Sequence, residues 1–391
     1  MKSLWKSFRN LAPQFLLKGP LMRLWLARLT AQLAAEYGRF LLRERPRQNT
    51  PPVRKTTSVR RLLFVCANMW EQRELLPELR KLCEVDFLDV NPFRLASRFE
   101  REDRLDLPRL LPRIPDQRYD ATVVYLNSAL LSAELLQAVR SRTDGPLLGL
   151  NLDDKTTYTT YSVFQKSAQD YRRWASSFDC NLTNSRALKD VYNDEGFPCL
   201  YLPTGFHYDP EIHHFDPGVS FEFEMSFVGS CKPERKLFIQ ELQRQGIPVK
   251  IFGGGWPGAS FTNEGAAVFR KTQINLGIGY NLPGMQFTNL KNRDFECPGS
   301  GGCYLTTFDW ELSELFEVGQ EILCYRNIYD FIEVYSQYRR RPDRCREIAR
   351  AGFLRSVSEH TWAHRFETVF RELGLQAKPL PTPPFILPFH S

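Results

Sequence analysis

From Arg61 onward, short apolar runs of strand length alternate with amphipathic runs of helix length, and the series occurs twice. No other feature of the chain restricts its fold as strongly. The first series has strand-like runs at 62–67, 85–90, 121–126, 147–152, 180–183 and 199–202. Helical segments at 71–83, 132–142, 162–177 and 186–195 separate them. In the first helix Leu75, Leu76, Leu79 and Leu82 fall on one side. Apolar strands alternating with helices predict a parallel sheet covered on both faces. An irregular stretch follows Pro203-Thr204-Gly205, and the alternation then resumes. Its strands are 225–228, 249–252, 274–278 and 303–308, and its helices 233–245, 329–339, 344–357 and 360–373. The expectation is an α/β chain of two Rossmann-like domains, at 59–210 and 211–356. A chain of 391 residues suits two such domains. Ligands bind these sheets at the carboxyl ends of the strands. That rule places Asn68, Asp153 and Asp154 on a binding edge.

Charge is unevenly distributed. Residues 1–61 hold 14 Lys/Arg and 2 Asp/Glu, while the rest of the chain holds 38 and 43. The body is mildly acidic, so it lacks the basic surface of a nucleic-acid binder. Within the basic segment, Leu26, Leu29, Leu33, Tyr37 and Phe40 recur at helical spacing, opposite Arg28, Arg39 and Arg43. Residues 1–47 therefore read as an amphipathic helical extension, and 46–58 as a linker. Two readings of the extension stay open: docking on an anionic membrane surface, or packing on the protein body. No apolar run is long enough to span a membrane, and charges interrupt any signal peptide. The nine cysteines include no CxxC pair and suggest a reducing compartment. The localisation expected is cytoplasmic, peripheral at the inner membrane face if the extension docks there. The histidines show no metal spacing.

Three glycine turns are candidates for binding. Phe227-Val228-Gly229-Ser230 carries a strand into a turn, and Pro233-Glu234-Arg235-Lys236 then opens a helix whose N-terminus favours anions. Arg235 has a fork suited to phosphate oxygens. Gly253-Gly254-Gly255-Trp256 follows the next strand, with Trp256 either capping a site or filling the core. Arg293, Phe295 and Glu296 begin a helix that Pro298-Gly299-Ser300-Gly301-Gly302 is expected to break. Such a turn leaves backbone N–H groups free to cradle a phosphate. Arg293 can pair with phosphate, and Glu296 can accept from sugar hydroxyls. At the end of a first-domain strand, Asp153-Asp154 offers a general base or a helix N-cap.

Phe295-Glu296, Gly302, Leu315-Phe316, Gly319 and Glu321, followed by Glu359-His360-Thr361-Trp362 and Arg365, resemble the C-terminal half of CgeB-like glycosyltransferases. These are a branch of the group 1 glycosyltransferases with the two-domain GT-B fold. The resemblance implies transfer of a sugar from a nucleotide-sugar donor to a glycan or glycoconjugate acceptor, with retention, in surface polysaccharide assembly. It implies no cofactor and no catalytic metal. The donor would lie mainly on the second domain, at Gly229, Ser230, Arg235, Lys236, Gly254, Gly255, Arg293, Glu296, Gly301 and Gly302. Asp153, Asp154 and Arg235 are the catalytic candidates. A terminal helix, 357–375, would cross back to the first domain, leaving 376–391 as a proline-rich tail. In the group pattern an arginine and a lysine face the diphosphate; here Ser230 and Arg235 occupy those positions. Of the pattern's two glutamates, Glu296 matches the second and Thr288 stands at the first. That departure keeps two other readings open: a nucleotide-sugar epimerase on the same fold, and a non-catalytic binding protein.

Overall fold

Six parallel strands build the first sheet of the computed structural model, which describes residues 57–67, 71–96, 103–158, 171–259, 265–279 and 289–380. In chain order they are β1 (Arg61–Cys66), β2 (Glu84–Asp89), β3 (Ala121–Tyr125), β4 (Leu147–Asn151), β5 (Cys180–Thr183) and β6 (Cys199–Tyr201), laid side by side as β2-β1-β3-β4-β5-β6. Helices α1 (Glu71–Leu82), α2 (Ala133–Arg140), α3 (Asp154–Thr157) and α4 (Arg186–Asp194) connect them. Strand β4 is buried along its whole length. Its neighbours pair on both sides, so only apolar residues suit either face. Apolar clusters fill both faces of the sheet.

The second sheet has five parallel strands: β7 (Phe223–Val228), β8 (Lys250–Phe252), β9 (Thr272–Leu276), β10 (Tyr304–Thr307) and β11 (Leu323–Tyr325). Their order is β8-β7-β9-β10-β11. Both sheets therefore reverse direction beside their first strand. This is the topological switch point, where a crevice opens at the carboxyl ends of the strands. Helices α5 (Pro233–Arg244), α6 (Gly265–Arg270), α7 (Arg293–Gly299), α8 (Trp310–Leu315), α9 (Ile328–Tyr338) and α10 (Pro342–Glu359) flank this sheet.

The chain passes between the domains twice, and the two crossings pair with each other. Phe206 N–H donates to His360 O (3.3 Å), and Trp362 N–H donates to Phe206 O (3.0 Å). Helix α11 (Trp362–Glu372) then packs on the first domain, where Trp362, Phe366, Val369 and Phe370 join the core around Leu62, Phe64 and Leu75. A fully buried carboxylate ties α1 to both crossings. Glu78 accepts from His207 Nδ1 (2.8 Å), Tyr208 N (3.2 Å), Ala363 N (3.2 Å) and Lys81 Nζ.

Sequence and structure differ at several places, among them helix α6 and the parallel pairing of Thr57–Ser58 with Leu375–Gln376, neither of which was expected. A short antiparallel pair, Arg94–Ala96 with Asp103–Leu105, had no counterpart in the apolar pattern. Tyr171–Ser177 is a 3-10 segment. Helix α7 runs through Pro298 and stops at Gly299. The extension at 1–47, the first part of its linker, Asn68, Thr288, the early part of the 162–177 segment and tail residues from 381 on lie outside the described residues.

Candidate active site

The switch point of the second sheet falls between the ends of β7 and β9. Gly229 follows β7 directly, and its N–H donates to Phe252 O (2.8 Å). A Cβ there would stand 2.7 Å from Arg293 Nη1. Only glycine lets that guanidinium lie against the turn. Trp256 Nε1 donates to Gly229 O (2.8 Å), and its ring meets Phe227 edge-on at 5.8 Å. The tryptophan thus pins the two glycine turns together, while Gly254 and Gly255 stay exposed at the rim.

Two arginines approach Phe227, Arg293 at 4.8 Å and Arg235 at 5.7 Å from the ring centroid. Arg293 is 9% exposed. It donates to Val228 O, to Ile278 O (3.4 Å) and to Tyr304 Oη (3.4 Å). Its fork therefore clamps the ends of the two strands at the switch point, and it contributes charge rather than a free donor. Arg235 is also buried. Its Nη1 donates to Ser230 O (3.0 Å) and Oγ (3.3 Å), and its Nε has no partner among the described residues. Burial, and then Arg293, lowers its pKa to about 10. Lys291 stands beside them. Burial lowers it to about 8; Asp153 across the cleft opposes that, while Lys232 and Arg235 add to it. Lys232 caps α5 with no side-chain hydrogen bond, and Pro233 takes the first helical position. The first-turn N–H groups of α5 therefore have no capping side chain. Depressed values for Arg235 and Lys291 are what burial beside other cations produces, and a bound anion would reverse them. Lys236 follows Arg235 on α5 and points about 100° around the helix from it.

The Gly301-Gly302 turn is a correction. Gly301 N–H donates to Pro298 O (2.8 Å) and Gly302 N–H to Cys297 O (3.0 Å), with Gly301 at φ 76°. This is a Schellman cap, which consumes both N–H groups. Both glycines are buried, and the turn precedes β10, so it lies at the amino edge of the sheet. It closes a helix and leaves no donor for a phosphate.

Glu296 is half-buried and accepts from Asn292 Nδ2 (3.3 Å). Burial, then Glu74 of α1, raises its carboxyl to about 7. Glu74 is itself raised by burial, and it accepts from His207 N (3.0 Å). Glu296 thus faces a carboxylate of the first domain. On that domain the two aspartates part. Asp153 is exposed at the cleft. Asp154 is 1% exposed and accepts from Tyr192 Oη (3.3 Å), and burial lifts its carboxyl well above the ordinary range. An enclosed acid cannot reach an acceptor, so the catalytic expectation narrows to Asp153. Asp153 precedes α3 but makes no side-chain capping bond there.

The sequence reading missed Lys232, Lys291, Asn292 and Glu74. Lys291 and Asn292 immediately precede Arg293 in the chain. Glu74 carried no local signal, because its partner Glu296 comes from the other domain. Contacts across the cleft continue at α8, where Glu311 meets Lys155 (3.4 Å) and Arg186 N (3.3 Å), and Glu314 meets Arg186 (2.9 Å). Among the described residues no group of three His, Cys, Asp or Glu side chains could hold a metal ion.

Solved structures share this architecture at low identity. Sucrose-phosphate synthase from Thermosynechococcus elongatus aligns over 80% of this chain and 99% of its own, at 11% identity and TM-score 0.52. The Anabaena protein HepE, in complex with UDP and glucose, aligns over 80% and 99%, at 12% identity and TM-score 0.54. An alpha-glucosyltransferase in complex with UDP-glucose and DNA containing an abasic site aligns over 81% and 99%, at 10% identity and TM-score 0.53. No curated protein matches the chain. A family model described as glycosyl transferase-like matches residues 234–371, from the first turn of α5 to the end of α11. The chain therefore has the GT-B fold, and residues 234–371 of its second half are similar to a glycosyl transferase-like domain, a match that begins at the helix of Arg235.

Proposed function

We propose that the protein is a group 1 glycosyltransferase of the CgeB-like branch, transferring a sugar from a nucleotide-sugar donor to a glycan or glycoconjugate acceptor. The observation that carries this reading is the basic cluster at the switch point of the second sheet. Lys232, Arg235, Lys291 and Arg293 gather there beside a helix N-terminus without a capping side chain. The family match begins at that helix, which favours a transferase over the epimerase or binding-protein readings. Structural neighbours solved in complex with UDP or UDP-glucose support a nucleotide sugar as donor.

In this mechanism the diphosphate lies along the first turn of α5, held by Arg235 and Lys291. Arg293 holds the strand ends and adds its field. Charge that grows on the leaving diphosphate meets preformed cations, which is how such a site lowers a barrier. The acceptor enters from the first domain, where Asp153 faces Lys291 and orients or deprotonates its hydroxyl. Basic groups replace a metal in this scheme. The test is a panel of nucleotide sugars, with and without EDTA, read as nucleoside diphosphate release. Release that survives chelator is expected; complete loss restored by magnesium or manganese contradicts the metal-free scheme.

No helix among the described residues is long and apolar enough to cross a membrane. The basic amphipathic pattern of residues 1–47 supports peripheral docking on an anionic membrane at the cytoplasmic face. Deleting residues 1–50 should then release the protein from anionic vesicles with diphosphate binding intact. Unfolding of the truncated protein would instead show that the segment belongs to the core.

A further inference from the structure

Asp153 lies in the turn between β4 and α3, and the second domain grips that turn on both sides of it. On one side, Asn289 Nδ2 donates to Leu152 O (3.3 Å). On the other, the Glu311 carboxylate pairs with Lys155 Nζ at 3.4 Å. Between the two grips, Asp153 acts on Lys291, which follows Asn289 by two residues. One short segment of the second domain therefore both holds Leu152 and presents the cation. The first domain has holds of its own on the turn. Asn184 Nδ2 also donates to Leu152 O (2.8 Å), and Asp153 N donates to Asn151 Oδ1 (3.1 Å).

Both gripping side chains are sealed between the domains, Asn289 at 3% exposure and Glu311 at 1%. Glu311 stands in the first turn of α8, where its N–H donates to the capping Asp309 Oδ1 (2.8 Å). Its carboxylate also accepts from the N–H of Arg186 (3.3 Å), the first residue of α4. It thus meets an ammonium and a helix N-terminus, and both belong to the first domain. Burial raises its carboxyl, and Lys155 opposes that shift. A buried carboxylate that loses its cation is strongly unfavourable, while the intact pair adds little net stability and can fix register. Glu311 is matched in this way only while the domains stand at this separation. The neighbouring pair of Glu314 with Arg186 (2.9 Å) is about half exposed and contributes little.

We propose that Asn289 and Glu311 are positioning residues for Asp153, bracketing its turn from the second domain and setting its carboxylate against Lys291 when the domains are together. The inference rests on the glycosyltransferase reading and deepens it by tying the acceptor-side carboxylate to the register of the two domains.

The experiment follows the titration of Lys291 in the unliganded protein by NMR of the lysine Cε carbons, assigned with Lys291→Met. The charged groups that face Lys291 are Asp153 from the first domain, Lys232 and Arg235 around the start of α5, and Asp294 from its own segment. Asp153 favours the ammonium, so moving it away lowers the midpoint. Asp153→Asn gives the full size of that shift. Glu311→Gln and Asn289→Ala should each lower the midpoint by part of it, and the two together should approach it. Glu314→Gln breaks an interdomain pair without touching the turn and should leave the midpoint at the wild-type value. In turnover, Glu311→Gln should cut kcat about 10- to 100-fold, the scale of a misplacement of about 1 Å, with donor KM held. Added to Asp153→Asn, it should cost little more. Melting curves confirm folding; if Glu311→Gln does not fold, Asn289→Ala decides, because Asn184 still holds Leu152 O there. A wild-type Lys291 midpoint in the folded variants overturns the proposal, and so does an Asp153→Asn that leaves Lys291 unmoved. An equal shift in Glu314→Gln overturns it too, since the grips would then only hold the domains together. If Lys291 shifts as expected but calorimetry finds no nucleoside diphosphate bound to wild type, the positioning stands and the glycosyltransferase reading falls.

Discussion

Lys291 shows at the scale of one residue how burial sets up a site. An exposed lysine titrates near 10.4; burial near Lys232 and Arg235 brings this one to about 8. A bound diphosphate would restore the charged form, so its binding should take up a proton at pH values between the two. The sign follows: affinity is full below pH 7 and falls as pH rises through 8. Calorimetry at pH 8.5 in buffers of different ionisation enthalpy should show that uptake, and Lys291→Met should abolish it. A pH-independent wild-type affinity would mean that the anion does not touch Lys291. The same logic explains why Asp153 and Asp154, adjacent in sequence, separate in role. One faces a cation across the cleft, and the other is sealed among Tyr192, Thr183 and Asn151. Sequence order could not distinguish them, because burial is a property of the folded neighbourhood.

At the scale of elements, Glu78 shows why helix α1 belongs to the interdomain crossings as well as to its own domain. Burial pushes its carboxyl up, but hydrogen bonds from His207 and Lys81 outweigh that and leave it below the ordinary value. A depressed folded value gives stability that is complete above the unfolded pKa and is lost as pH falls through the folded one. Glu78→Gln should therefore destabilise by on the order of 3 kcal/mol at neutral pH, since it leaves buried partners unmatched. Its melting temperature should also fall less steeply with acid than that of wild type. Denaturation at pH 7 and pH 4 measures both, and equal losses at the two pH values would contradict the pairing. The strands were legible because two-faced burial demands continuous apolar runs, and β1, β3 and β4 have little else. The Gly301-Gly302 turn was misread because glycine serves a helix cap and a phosphate cradle equally well. What separates the two is the sheet edge. Gly229 follows its strand and stands at the carboxyl end, whereas Gly302 precedes β10 and stands at the amino end. That order of strand and turn was visible in the sequence. By contrast, the pairing of Glu296 with Glu74 had no local trace.

At the scale of the whole molecule, two sheets of like topology present their switch points to one cleft. The paired crossings at Phe206 and Thr361 join the domains, and Glu311 and Glu314 reach across to Lys155 and Arg186. The account stands on the second sheet's switch point holding a nucleoside diphosphate against Arg235. A charge-assisted hydrogen bond contributes about 1.5–3 kcal/mol, which corresponds to roughly 10- to 150-fold in affinity. The direct measurement is a calorimetric titration of wild type and Arg235→Ala with a panel of nucleoside diphosphates, with melting curves to confirm folding. The account predicts that one nucleoside diphosphate binds wild type and that a folded Arg235→Ala weakens it within that range. Wild-type affinity in Arg235→Ala would contradict it, because the diphosphate would then lie somewhere other than the first turn of α5.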